Sequence, residues 1–411
     1  MQEIQLNQPC SGSFLILDTL HQLGVDLVFG YPGGAVLPLY DALHQYEGIQ
    51  HILARHEQGA VHEAEGYAKS SGKVGVAIVT SGPGATNAIT GIADAMGDSV
   101  PLLVFSGQVA TRGIGKDAFQ EADVLGMTMP ITKYNYQIRD TADIPRVITE
   151  ALHIATTGRP GPVVIDVPKD IQEKIVESYH DPALHLPSYQ PTVEPNGLQV
   201  KKILKQLSQA QKPVILAGGG VNYADANKEL VAFAERYRIP VVSTLLGLGA
   251  MPIEHELSLA MGGMHGSYAA NMAMDQADYI INIGARFDDR LTGNPTTYAP
   301  NATVAHIDID PAEIGKVVKT AIPVVGDAKA TLKALLALET VETGYADWTA
   351  QVLENKRRAP FWYDEDEKVI KPQAAIELIG QLTQGDAIVV TDVGQHQMWA
   401  AQFYPYKHAR Q

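Results

Sequence analysis

The sequence has a single cysteine, Cys10, in 411 residues, which excludes an internal disulfide framework and a multi-cysteine metal site. It also lacks basic excess: 31 Lys and Arg against 46 Asp and Glu give a formal charge of −15. Nucleic-acid binding wants basic stripes, so no such partner is expected. No stretch approaches the ~18 uninterrupted apolar residues of a membrane span. The opening Met1-Gln2-Glu3-Ile4-Gln5-Leu6-Asn7 lacks the basic and apolar segments of a secretory signal. A cytoplasmic protein without a membrane partner is expected. His265, His306 and His396 form neither H-E-x-x-H nor a compact ligand cluster, so no metal site is assigned to them. No Ser-His-Asp arrangement or G-x-S-x-G elbow stands out either. Short-period repeats and low-complexity tracts are missing too. What is present, 45% hydrophobic and 19% charged residues, fits a globular chain of two or three domains with a sizeable core.

Short β-branched runs alternate with longer helical patterns, the signature of α/β construction with parallel sheets covered by helices. Strands are expected at Gly75–Thr80, Pro101–Phe105 and Val163–Val167, and a first domain over residues 1–185. Asp181–Gly197 carries Pro182, Pro187, Pro191 and Pro195 and reads as a linker. A second unit, residues 198–342, is expected to hold strands at Pro213–Ala217, Pro240–Ser243, Tyr279–Ile283 and Val304–Ile307. Its helices are expected near Ala224–Tyr237 and Leu332–Leu338. Thr343–Lys371 reads as a second connection. A third unit, 370–411, begins with a helix at Pro372–Leu382 and a strand at Ala387–Val390. One helix and one strand cannot bury a sheet on both faces, so this domain is read as incomplete.

Several loops at strand ends carry candidate chemistry. Glu57 stands in Arg55-His56-Glu57-Gln58-Gly59-Ala60, at the end of a strand-like run and before a helix-like one. A glutamate there can serve first-turn amides or a bound ligand. Gly30-Tyr31-Pro32-Gly33-Gly34 and Ser81-Gly82-Pro83-Gly84 permit tight turns or close approach of backbone to a ligand. Thr86 and Asn87 can act as helix caps. Gly218-Gly219-Gly220 follows a strand without completing G-x-G-x-x-G, a weak dinucleotide fingerprint. Asp288-Asp289-Arg290 is a surface charge cluster or an anion clamp, since guanidinium presents a bidentate fork.

Together these segments resemble thiamine-diphosphate-dependent enzymes, and most closely the FAD-containing acetolactate synthase catalytic subunits. The resemblance implies a fold of successive doubly wound parallel-sheet domains, with a pyrimidine-binding domain first and an FAD-associated domain in the centre. It implies that Glu57 hydrogen-bonds N1′ of the aminopyrimidine and favours the imino tautomer that removes the thiazolium C2 proton. Gly33, Pro83 and Asn87 would lie near the cofactor. Phe119 and Gln120 would border the catalytic cavity, and Lys169 would stand near the substrate entrance. FAD would be met by Arg159, Gly218, Gly219, Thr244, Leu245, Met264, His265, Gly284, Arg286, Asp288 and Arg290. Asp308 would accept from ribose hydroxyls, with Asp327 and Ala328 completing the set. Arg290 would also hold the second ketoacid. Val393-Gly394-Gln395-His396 matches the beginning of the diphosphate-binding domain. That domain's Gly-Asp-Gly…Asn signature is absent, so the Mg²⁺ site is expected to be missing and the chain inactive unaided.

The implied reaction decarboxylates pyruvate and joins the hydroxyethyl unit to pyruvate or 2-oxobutanoate, in branched-chain amino-acid synthesis. A homodimer or tetramer with a regulatory small subunit follows from the same resemblance. Two alternatives stay open on sequence: a pyruvate oxidase-like flavoenzyme, or a non-catalytic nucleotide-binding or assembly module.

Overall fold

The computed structural model describes residues 3–365 and 368–411. Met1 and Gln2, read above with the leader segment, and Asp366 and Glu367, in the second connection, lie outside the described residues. The chain forms two compact units, Met1–Gln190 and Pro191–Gln411.

The first unit contains β1 (Glu3–Ser11), β2 (Leu27–Gly30), β3 (Gln50–Leu53), β4 (Gly75–Val79), β5 (Leu102–Gln108), β6 (Tyr134–Gln137), β7 (Pro162–Pro168) and β8 (Ile175–His180). β1 pairs antiparallel with β8. The other six form one sheet in the order β3-β2-β4-β5-β7-β6, with parallel pairs throughout. β4, β5 and β7 are buried along their whole length, as expected for strands covered on both faces. One face packs on Leu15, Ile16, Leu20, Ile144 and Ile148. The other packs on the small side chains Ala60, Ala64, Ala88 and Ala95. Those alanines let helices Glu57–Ser71 and Pro83–Asp98 come close; a Cβ on Gly91 would lie 2.7 Å from Val61 Cγ1. Each fully buried Leu or Ile side chain contributes about 1.5–3 kcal/mol.

The second unit contains β9 (Pro213–Ala217), β10 (Val241–Ser243), β11 (Ser258–Met261), β12 (Tyr279–Ile283), β13 (Thr303–Asp308) and β14 (Ile322–Val325). They form a parallel sheet in the order β11-β10-β9-β12-β13-β14. In each sheet the chain winds outward one way and then the other. The strand order therefore reverses between β2 and β4 in the first sheet, and between β9 and β12 in the second. Loops diverge at such a point and leave a crevice beyond the carboxyl ends of the strands.

Three expectations are corrected. Residues 387–390 form no strand: Ile388 and Val390 are 61% and 86% exposed, and no neighbouring strand supplies a ladder for them among the described residues. The helix expected over Ala224–Tyr237 begins only at Asn227, after a separate short helix Gly219–Tyr223, with Asp225 at φ 49° between them. The connection 343–371 holds a 13-residue helix, Ala346–Arg358. It is anchored by Tyr345, whose hydroxyl donates to the Tyr237 carbonyl at 2.9 Å, and by Trp348, whose ring N–H donates to the Pro213 carbonyl at 3.1 Å. Residues 372–411 fall within the second compact unit, where helix Pro372–Leu382 packs on helix Gln395–Phe403.

Candidate functional site

At the carboxyl edge of the first sheet, Glu57 is the first residue of helix Glu57–Ser71 and is buried. It does not cap that helix. His56 does, its Nδ1 accepting from the Gln58 amide at 3.1 Å. Glu57 Oε2 instead accepts from Asn87 Nδ2 at 3.0 Å, across to the next helix. Asn87 is likewise no cap: Gly82 stands at the N-terminus of helix Pro83–Asp98 and Asn87 lies inside it. Glu57 Oε1 carries no hydrogen bond among the described residues, so one lone-pair-rich oxygen remains available.

The glycines around this carboxylate are there for space. A Cβ on Gly84 would stand 2.7 Å from Thr80 Cγ2 and 3.3 Å from Glu57 Oε1, and one on Gly33 would stand 2.5 Å from Thr80 Cγ2. Thr80, which the motif reading passed over, thus wedges between the loops that follow β2 and β4, and its Oγ1 accepts from the Ala35 amide at 3.2 Å. Its position at the end of β4, one residue before Ser81-Gly82-Pro83, was the available signal. The phenol of Tyr40 packs against Gly30 and is held well above its ordinary range by burial, and secondarily by the Glu57 charge.

Gly82 takes φ 58°, and a Cβ there would lie 2.7 Å from the Gln120 carbonyl oxygen. The structure thereby lays the 109–122 loop on the turn that starts the Pro83 helix. Within that loop Phe119 is 88% exposed, and Gln120 takes φ 59°. Lys169, half-buried, follows β7 beside Asp170, whose Oδ1 accepts from the Thr111 amide at 2.9 Å. Glu57, Asn87, Gly33, Pro83, Gln120 and Lys169 thus share one edge of the sheet. Arg159 does not. It precedes β7, at the opposite edge, and its Nε donates to Ser99 Oγ at 2.9 Å, just past the end of the Pro83 helix.

In the second unit the candidates line the carboxyl edge of the other sheet. Gly218 and Gly284, after β9 and β12, meet at the strand-order reversal; a Cβ on Gly218 would overlap the Gly284 carbonyl and lie 2.5 Å from Ala285 Cα. Gly219 follows, 3.1 Å from Leu246 Cβ by the same measure. Thr244 Oγ1, after β10, accepts from the Gly247 amide at 3.1 Å, and Leu245 beside it is exposed. Met264 is exposed, and the His265 carbonyl accepts from Gln402 at 2.9 Å. Arg286 is half-buried. Asp288 caps its own turn, accepting from the Arg290 and Leu291 amides at 2.9 and 3.2 Å. Arg290 is 74% exposed, and among the described residues its ion-pair partner is Asp289, at 3.7 Å. Asp308 accepts from the Asp310 amide at 2.9 Å, and Asp327 from Ala330 at 2.9 Å, with Ala328 opening that helix. Val393 is exposed, and Gly394, Gln395 and His396 form the start of helix Gln395–Phe403.

Comparison with known proteins finds a match in each unit. Residues 10–127 match the thiamine pyrophosphate enzyme N-terminal TPP binding domain, and residues 200–335 match the thiamine pyrophosphate enzyme central domain. The acetolactate synthase large subunit of Lactococcus lactis is 64% identical over 411 residues, 100% of this chain and 72% of that protein. The chain belongs to the acetolactate synthase large-subunit family. Isozyme 3 of Escherichia coli is 49% identical over 97% of this chain and 71% of its own length, as is the Haemophilus influenzae large subunit. The first matched span contains Gly33, Glu57, Pro83, Asn87, Phe119 and Gln120, and the second runs from before Gly218 past Ala328. No described helix is long and apolar enough to cross a membrane.

Proposed function

We propose that this chain acts within an acetolactate synthase, decarboxylating pyruvate and joining the two-carbon unit to pyruvate or 2-oxobutanoate. The observation that carries the reading is Glu57: a buried carboxylate at the strand-order reversal, one oxygen fixed by Asn87 and the other without a partner among the described residues. The residues present fit thiamine diphosphate, because Glu57 offers a buried carboxylate oxygen without a partner among the described residues, at the carboxyl edge of the sheet. When bound, the cofactor supplies the electron sink for decarboxylation of a 2-oxoacid. Glu57 Oε1 would accept a hydrogen bond from a protonated ring nitrogen of the cofactor, and Asn87 keeps the carboxylate from rotating away. Gln120 offers an uncharged amide to the ketoacid, the exposed Phe119 borders the cavity, and Lys169 attracts the ketoacid's carboxylate.

FAD is assigned to the carboxyl edge of the second sheet, where Gly218 and Gly284 give backbone access and Asp308 offers an acceptor. Arg290, exposed and weakly paired, is free to hold a second ketoacid's carboxylate. The start of helix Gln395–Phe403 suits a diphosphate. A homodimer and a regulatory small subunit complete the reading.

The test is turnover by the holoenzyme on pyruvate with thiamine diphosphate, Mg²⁺ and FAD. Carbon dioxide release with acetolactate formed, and FAD staying oxidised, is expected. Anaerobic bleaching of FAD by pyruvate would point to an oxidase instead, and FAD binding without turnover to a non-catalytic module.

A further inference from the structure

Asp166 lies on β7 with no exposed surface, two residues from the carboxyl end of that strand. Its Oδ2 accepts from Gln137 Nε2 at 2.7 Å and from Gln108 Nε2 at 3.2 Å, while Oδ1 has no hydrogen-bond partner among the described residues. Burying a carboxylate on a central strand is costly unless it is satisfied, and hydrophobic residues would pack there without that cost. The network has a direction that core packing alone does not explain. Gln108 uses its second Nε2 hydrogen on the Ala122 carbonyl at 3.0 Å, and its Oε1 accepts from the Val109 amide at 2.8 Å. Both ends of the 109–122 loop are therefore tied to one buried amide, and that amide is tied to Asp166.

The same loop is closed at two other points. Asp170 takes the Thr111 amide, and Glu121 takes the amides of Gly115 and Ala118. The Thr111 and Gly115 bonds are exposed and compete with water, whereas the Gln108–Asp166 bond is buried and the Gln108 bonds to Ala122 and Val109 are part-buried, like that of Ala118 to Glu121. The Gln108 link is the one anchored on a buried carboxylate. It holds a segment that includes left-handed Asp117 and Gln120, conformations a non-glycine residue keeps only when its surroundings impose them.

We propose that Gln108, anchored on the buried Asp166, is a positioning residue that sets the 109–122 loop, and with it Gln120 and Phe119, over the ketoacid site. The inference rests on the function proposed above. Gln137 supplies the internal control, since it donates to the same Oδ2 but bonds nothing in the loop through that amide.

The experiment compares Gln108→Met, Gln108→Asn, Gln137→Met and Asp166→Asn in the holoenzyme. Gln108→Asn keeps an amide in the core but shortens the arm, so it covers the case in which Gln108→Met does not fold. Both Gln108 variants are expected to raise KM for pyruvate about five- to tenfold, with kcat within about twofold. Amide hydrogen exchange across 111–122 is expected to speed up by a similar factor. Gln137→Met is expected to lower Tm yet leave KM and exchange in that segment unchanged. Asp166→Asn keeps a carbonyl acceptor for both glutamines and is expected to behave as wild type in KM. Equal KM shifts in the Gln108 and Gln137 variants, or none in either, overturn the proposal. If the wild-type holoenzyme does not consume pyruvate, the functional reading fails by itself, and the exchange data still decide whether Gln108 holds the loop.

Discussion

At the carboxyl edge of the first sheet, Glu57 reaches over to Asn87 on another helix; at the same edge of the second, Asp288, Asp308 and Asp327 each fold back on their own turn. The two edges share a strand-order reversal and glycines pressed against neighbours, yet they distribute polar chemistry differently. In the first, a side chain is held ready while another residue, His56, does the capping. In the second, carboxylates spend an oxygen on backbone amides, and what remains open is backbone at Gly218 and Gly284 together with an exposed Arg290. A proton-handling site needs one side-chain oxygen in a fixed place, whereas a bound nucleotide can be held by many weaker backbone contacts.

The strongest way to break that contrast is Glu57→Gln. The amide can still accept from Asn87, so the fold should be kept while holoenzyme turnover falls about a thousandfold. Equal loss of Tm and activity would make Glu57 structural. In the second unit, Gly218→Ala pushes a Cβ onto backbone at Gly284 and Ala285, which cannot move aside as a side chain can. A loss of about 3 kcal/mol in unfolding stability is expected, with FAD released on gel filtration; retention of flavin at wild-type stability would remove the backbone site.

Asp166 sharpens the comparison through pH. Burial, opposed by the Gln137 and Gln108 hydrogen bonds, raises its pKa to about 6. The native state then binds more protons than the unfolded chain between about pH 4 and 6, so this group's contribution to stability rises as pH falls through that window. Relative to Asp166→Asn, wild type should gain about 2 kcal/mol between pH 7.5 and 4.5. A constant difference in denaturant midpoints across that range would contradict it. The smallest stability effect belongs to Arg290→Ala, where a weak exposed pair predicts a change within about 0.5 kcal/mol. KM for the acceptor ketoacid should still rise about tenfold, and an unchanged KM would free Arg290 of that role.

Much of this was legible because it is local. The runs Pro213–Ala217 and Tyr279–Ile283 announce buried parallel strands by composition, and Pro372–Leu382 shows its helix with proline at the first turn. Glu57 was findable from its neighbours in sequence. What stayed hidden depends on partners far along the chain. Pairing of β1 with β8, the hold of Asn87 on Glu57, and Gln108 meeting Asp166 at a separation of 58 residues leave no short-range pattern. The apolar run at 387–390 misled for the same reason, since a strand is defined by a neighbour and not by its own residues.

The role of Glu57 is tested most directly by deuterium exchange at C2 of thiamine diphosphate bound to the holoenzyme, read by NMR after acid quench. In Glu57→Gln the cofactor content should stay at wild-type level while exchange slows about a thousandfold. Exchange at the wild-type rate with cofactor bound would contradict the assignment of Glu57 as the group that activates it.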